Sequence, residues 1–128
     1  MYCLDTSVII DFLRKEPNIG KRFVSLDSSK IFVSTITLCE LYMGAYLSSR
    51  SDISLMILDS FINSVNIVEF NIDSCKWFGK EFARLAKAGK MPQEPDLMIA
   101  SIAKSNNLVV VTRDKKGFKN IDVSSEEW

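Results

Sequence analysis

Leu108-Val109-Val110-Val111-Thr112-Arg113-Asp114 opens with four apolar residues in succession and closes on a hydroxyl, a guanidinium and a carboxylate. A strand with one face in water alternates apolar and polar side chains. This one does not, so it predicts a strand over 108–111 covered on both faces, as inside a parallel sheet flanked by helices. Ligands of such sheets bind beyond the carboxyl ends of the strands, where strand order reverses. The acid that follows the strand, Asp114, therefore stands where a site is expected.

Working outward, the same grammar repeats. Tyr2-Cys3-Leu4 is a short apolar run ending at Asp5-Thr6-Ser7, and Val8, Ile9, Phe12 and Leu13 then follow at helical spacing. Asp5 or Thr6 is suited to cap that helix. After the Pro17-Asn18 break a second helix carries Ile19, Phe23 and Leu26 on one face. Ile31-Phe32-Val33 is the next strand-like run, followed by helices over 36–47 and 52–63. Ile67-Val68 predicts a third strand. A long helix is expected over 73–88, stopped by Gly89. Asp96 is expected to open the next helix, through Ile99, Ile102 and Ala103, after a turn bracketed by Pro92 and Pro95. Ile121 to Val123 is read as a last edge strand. Strands alternating with helices predict a parallel α/β sheet with helices on both faces.

The chain has 128 residues, of which 47% are hydrophobic, enough for one domain spanning 1–128 with a packed core. Its apolar runs are too short to cross a bilayer, and the amino terminus lacks the basic-then-apolar pattern of a signal peptide. Cys3, Cys39 and Cys75 are widely spaced, so they are read as reduced thiols of a cytoplasmic protein. There is no histidine, which excludes Ser-His-Asp and Cys-His catalysis and removes the commonest zinc ligand.

Formal charge is zero, with 16 basic and 16 acidic residues, but it is unevenly placed. Residues 1–75 hold six basic and nine acidic side chains, and residues 76–119 hold ten basic and four acidic. The second stretch is suited to meet phosphates. Within it Lys76, Lys80, Arg84 and Lys87 share a face of the long helix. That face is either simply solvated or an RNA-backbone track; Lys90, Lys115, Lys116 and Lys119 lie near it or near Asp114.

Four carboxylates, Asp5, Glu40, Asp96 and Asp114, fall at strand-to-helix junctions. In a parallel sheet such junctions share one edge, so the four would converge. Clustered carboxylates repel one another, and a hard divalent ion such as Mg²⁺ or Mn²⁺ relieves that repulsion. A bound ion of this kind activates water for attack on a phosphodiester. Each acid also has a structural reading. Asp5 and Asp96 serve as helix caps, Thr37-Leu38-Cys39-Glu40 fits a capping box, and Asp114 suits a turn. Spacing alone leaves both readings open.

Taken together, the segments resemble the PIN-domain ribonucleases of the VapC toxin type. Tyr2-Cys3-Leu4-Asp5-Thr6-Ser7 is similar to the family's opening strand and turn. Ser34-Thr35-Ile36-Thr37-Leu38-Cys39-Glu40-Leu41 resembles its second motif, Asp96-Leu97-Met98-Ile99-Ala100 its third, and Val109-Val110-Val111-Thr112-Arg113-Asp114 with Phe118 its last. The resemblance runs through nearly the whole chain in the right order. It implies a three-layer α/β/α sandwich with a five-stranded parallel sheet, and a Mg²⁺- or Mn²⁺-dependent endoribonuclease acting on structured RNA. It also implies a homodimer neutralised by a small VapB-like antitoxin. Asp5, Glu40, Asp96 and Asp114 match the acidic positions, and Thr6 and Thr112 match hydroxyl residues suited to orient water. Many relatives carry Asp two residues before the third acid, where this chain has Glu94. Surplus apolar residues on the helices over 36–47 and 52–63, among them Met43, Tyr46, Met56 and Ile57, suggest a groove for the antitoxin.

Two other classes fit part of the pattern. A phosphorylation-controlled receiver module also groups acids around Mg²⁺, but it needs paired acids after the first strand and a phospho-acceptor Asp after the third. A catalytically silent module with the same fold would use the acids only as caps.

Overall fold

The computed structural model describes residues 1–128. Five strands, β1 (Tyr2–Leu4), β2 (Ile31–Ser34), β3 (Asn66–Val68), β4 (Val109–Thr112) and β5 (Ser125–Glu127), form one sheet in the order β3-β2-β1-β4-β5. Every neighbouring pair is parallel. Seven helices connect them: α1 (Thr6–Leu13), α2 (Pro17–Ser25), α3 (Thr35–Leu47), α4 (Ser51–Ile62), α5 (Ile72–Ala88), α6 (Glu94–Ser105) and α7 (Lys115–Phe118).

Alternation along the strands sorts the core into two layers. Leu4, Ile31, Val33 and Val111 face one cluster with Val8, Ile9, Ile19, Leu41, Leu58 and Phe61 from α1 to α4. Cys3, Leu108 and Val110 face the other, with Leu85, Leu97, Ile99, Ala100 and Phe118 from α5 to α7. Adjacent residues of β1 and β4 thus go to opposite sides, which is why 108–111 had to be apolar without a break. The α/β/α sandwich implied by the resemblance is the one observed.

The chain runs outward from β1 through β2 to β3, then crosses back to place β4 on the other side of β1. The order reverses between β1 and β4, and the carboxyl ends of strands at such a reversal are where ligands of open α/β sheets bind. This strand order also removes the receiver reading, because receiver modules follow the order 2-1-3-4-5.

Local chemistry explains the helix boundaries. Asp5 caps α1 by accepting the Thr6 N–H, Ser34 caps α3 by accepting the Thr37 N–H, and Asn71 caps α5. Pro17 occupies the first position of α2, where a missing N–H costs nothing. Gly89 ends α5 at φ 65°, a left-handed conformation that glycine adopts without steric penalty.

Three expectations are corrected. The last strand is Ser125–Glu127, not 121–123. Ile121 and Val123 are core anchors under α6 and α7 instead, and the edge strand itself is polar, as edges that must not pair with another chain tend to be. Helix α6 starts at Glu94 with Gln93 as its cap residue, so Asp96 lies in the first turn and is not the cap. Glu40 is not half of a capping box, because Ser34 already caps α3 and Glu40 sits too far along it.

The two-layer packing makes a direct prediction. Leu4→Ala, in the central strand with its side chain fully buried, should lower unfolding free energy by about 2–5 kcal/mol. Ile67→Ala, on edge strand β3 and 39% exposed, should stay within about 0.5 kcal/mol of the parent. Urea unfolding of the two variants checks the contrast.

Candidate functional site at the carboxyl edge of the sheet

Asp5 follows β1 at the reversal point and is 7% exposed. Its backbone N–H donates to the Val111 carbonyl at 2.8 Å, tying the end of β1 to β4. Its carboxylate is fixed by three donors. Oδ1 accepts the Thr6 N–H at 2.8 Å, and Oδ2 accepts the hydroxyls of Ser7 at 3.1 Å and Thr112 at 2.8 Å. Capping α1 and facing the crevice are therefore one geometry, not alternatives.

Thr112 closes β4 and is fully buried. Besides donating to Asp5, its hydroxyl accepts the Asp114 N–H at 2.9 Å, so one side chain registers two of the four acids. Ser7 accepts the Arg113 N–H at 3.0 Å, and Arg113 pairs with Asp11 of α1 at 3.2 Å. The β4–α7 turn is thereby strapped to α1. On the opposite flank, the Thr6 hydroxyl donates to Glu40 Oε1 at 2.8 Å, reaching from α1 to α3. The resemblance implies that Thr6 and Thr112 orient water; here their hydroxyls hold carboxylates.

Asp96 and Asp114 approach one another over Gly117. A Cβ built on Gly117 would stand 2.7 Å from Asp96 Oδ2 and 3.9 Å from Asp114 Oδ2. The carboxyl group of Asp96 is pushed up to about 6, first by burial and then by the negative charges of Asp5, Glu40 and Asp114. That coupling places all four acids in one electrostatic neighbourhood. No three of them are close enough to make a ready-set coordination shell. Glu94 is exposed in the first turn of α6.

Hard oxygen donors, mutual repulsion and the absence of an ion pair to any of the four are the chemistry that a hard divalent cation answers. The oxygen donors are of the type that suits such an ion, which would draw the carboxylates closer together to be held. Cys3 lies directly before this region, but burial pushes its thiol up to about 12, which makes it inert as a ligand or nucleophile.

Sequence reasoning passed over two residues here. Ser7 braces both Asp5 and Arg113, and its position two residues after the acid was the available signal. Gly117 had no signal beyond its identity, because the carboxylates it makes room for come from elsewhere in the chain. The basic face of α5 looks different in three dimensions. Arg84 is bound to Glu81 and donates to the Asn120 carbonyl at 2.8 Å. Glu81, held below the usual carboxylate range first by Arg84, also accepts the Asp122 N–H at 3.0 Å. Lys80 and Lys87 remain exposed.

Asp96 also makes stability depend on pH. The folded chain keeps its proton up to about pH 6, whereas the unfolded chain releases it near 3.8. Between those values this carboxyl binds more protons in the native state, so its contribution to the stability of the metal-free protein should fall as pH rises through that window, opposite in sign to that of Glu81. Asp96→Asn should flatten this slope and be the more stable protein at neutral pH. Urea midpoints in a chelator between pH 4 and 7.5 test it.

The PIN domain model matches residues 2–124. "Ribonuclease VapC2" of Haemophilus influenzae is 32% identical over 99% of this chain and 97% of its own length. The "tRNA(fMet)-specific endonuclease VapC" of Salmonella typhimurium is 33% identical over the same shares. Among solved structures, VapBC2 from Rickettsia felis bound to a promoter DNA fragment superposes with a TM-score of 0.93 at 28% identity, covering 99% of this chain and 98% of that one. VapBC-1 from nontypeable Haemophilus influenzae gives 0.89 at 32%, covering 99% and 97%. A matching domain model over almost all residues, relatives alike along their full length, and an acidic crevice at the strand-order reversal agree: the chain belongs to the PIN-domain family, in its VapC ribonuclease branch.

Proposed function

We propose that this protein is a divalent-metal-dependent endoribonuclease, the toxin of a toxin–antitoxin pair, acting on structured RNA. What supports the reading is that Asp5, Glu40, Asp96 and Asp114 lie near enough to one another for the other three to oppose the ionisation of Asp96. The same four residues would hold Mg²⁺ or Mn²⁺. When bound, the ion activates water and offsets charge developing on the phosphoryl oxygens.

The chain's own residues prepare that chemistry. Thr112, Ser7 and the Thr6 N–H fix both oxygens of Asp5 before any ligand arrives. Thr6 aims Glu40 from the other flank. Asp96 would ionise more readily with a cation held beside its acidic neighbours. Asp114, exposed on the β4–α7 turn, is held only through its backbone, which leaves its side chain free to act through water. Pre-fixed carboxylates lower the reorganisation needed at the moment of reaction.

The antitoxin is assigned to the face of α3 and α4. Tyr46, Leu47 and Met56 are 68%, 80% and 73% exposed, far more apolar surface than a solvated helix pair needs. A groove between α1, α3 and α4, lined by Ile10, Leu13, Leu41, Ile57 and Leu58, runs to Arg14 and Glu40. An amphipathic segment seated there would reach the edge of the acidic crevice. The solved VapBC complexes, in which proteins of this fold are paired with an antitoxin, support the choice of partner. A homodimer is part of the same proposal. No helix is long and apolar enough to cross a membrane.

Incubation with total RNA should give Mn²⁺-dependent cleavage that Asp5→Asn reduces by at least about 100-fold. Mn²⁺ should also raise the melting temperature of the parent and not of Asp5→Asn. No cleavage of any RNA, with no metal effect on melting, would leave the silent binding module as the reading. Ile57→Lys should abolish capture of a VapB-type antitoxin while leaving Mn²⁺-dependent cleavage intact; equal capture by both proteins would move the antitoxin elsewhere.

A further inference from the structure

We propose that Lys90 and Lys116 grip the RNA backbone in the cleft between the α5–α6 loop and α7, and that the basic face of α5 does not. The inference rests on the endoribonuclease reading and names the contacts that feed its site. The cleft has a volume of about 410 Å³ and brings Lys90, Gln93, Asp96, Asp114, Lys116 and Asn120 around one space. It holds two acids of the candidate site beside two unpaired lysines, whereas the groove of α1, α3 and α4 holds one acid, Glu40, and one cation, Arg14.

Three observations single it out. First, Lys90 and Lys116 are exposed and neither has a carboxylate within ion-pair distance, although two acids line the same cleft. Their ammonium groups are available to a phosphate. Second, Gly117 forms part of the wall, and any side chain there would run into Asp96. The glycine lets α7 close on the carboxylates, so that Lys116 stands beside them without filling the space. Third, α6 begins at this cleft with Gln93 as a cap residue whose side chain makes no hydrogen bond to the helix. The Gln93 amide is therefore free to donate to a phosphate oxygen, while Glu94 and Asp96 already occupy the anion-favouring end of the helix.

The electrostatic logic requires such a partner. Four carboxylates repel a phosphodiester, and even a bound divalent ion leaves the crevice with surplus negative charge. Cations beside the crevice, but not paired with its acids, supply attraction without withdrawing ligands. The α5 face is poorly placed for this. Arg84 is committed to Glu81 and Asn120, Lys80 lines a separate cleft with Trp77 and Asp122, and Lys87 is absent from the acidic one.

The test compares Lys90→Ala/Lys116→Ala with Lys80→Ala/Lys87→Ala in the Mn²⁺-loaded protein across a salt series. The first pair should raise KM for RNA about tenfold with kcat little changed. It should also reduce the log–log salt slope by about 1.4, roughly 0.7 for each phosphate of a single strand that is no longer neutralised. Lys90→Arg/Lys116→Arg should restore both. The Mn²⁺-induced rise in melting temperature should be the same in all variants, which separates a role in gripping the backbone from damage to the fold or to the acids. The second pair should behave as the parent. A binding arm uses a fluorescein-labelled single-stranded RNA oligonucleotide and the Asp5→Asn protein, where no turnover is needed. It reports on the cleft even if the parent cleaves no RNA offered to it. Unchanged RNA binding in the Lys90/Lys116 variant at every salt overturns the proposal, as does an equal loss in the Lys80/Lys87 variant. So does a variant that loses affinity for the antitoxin and none for RNA.

Discussion

The hydrogen bond from Thr112 to Asp5 joins the ends of the two central strands, and the acidic crevice hangs on it. Strand β1 cannot slide against β4 without breaking this bond, and the one from the Asp5 N–H to Val111 fixes the same register. From that junction the other positions follow. Asp5 starts α1, Thr6 on α1 reaches Glu40 on α3, and Thr112 sets the backbone of Asp114. Asp96 alone arrives independently, on α6, and it is the acid whose charge the assembly opposes.

That opposition is the cost of concentrating like charge at one sheet edge. The fold meets it partly with neutral donors: hydroxyls and backbone N–H groups satisfy Asp5, and a hydroxyl satisfies Glu40, while no lysine or arginine pairs with any of the four. A cationic partner within the protein would stabilise the metal-free form more, but it would compete with an incoming cation for the same oxygens. Under the proposed function, keeping the nearby lysines unpaired would leave the carboxylates free for a cation and the ammonium groups free for a phosphate.

The two faces of the molecule have separate tasks under this reading. Apolar surface is concentrated on α3 and α4, whereas basic side chains cluster around α5, α7 and the loop before α6. The acidic crevice lies between them, in contact with the apolar groove through Glu40 and with the basic cleft through Asp96 and Asp114. An occupant of the groove would thus approach the same carboxylates that the nucleic acid must reach.

The unbroken apolar run 108–111, the cap at Asp5 and the stop at Gly89 were legible in the chain itself, because burial on both faces, cap chemistry and left-handed backbone are local demands on residue type. They were enough to establish a parallel α/β sheet with acids at its carboxyl edge. Strand β5 was not legible, since a polar edge strand carries no apolar signature and the apolar residues before it serve the core instead. Nor could sequence exclude Glu40 as a capping partner: the cap at Ser34 removes that role, and the approach of Thr6 from another helix ties its carboxylate to α1. The commitment of Arg84, the room that Gly117 leaves for Asp96 and the isolation of Lys90 and Lys116 beside the acids belong to tertiary structure alone. Each depends on distances between segments far apart in the chain, and residue spacing along one segment carries no information about them.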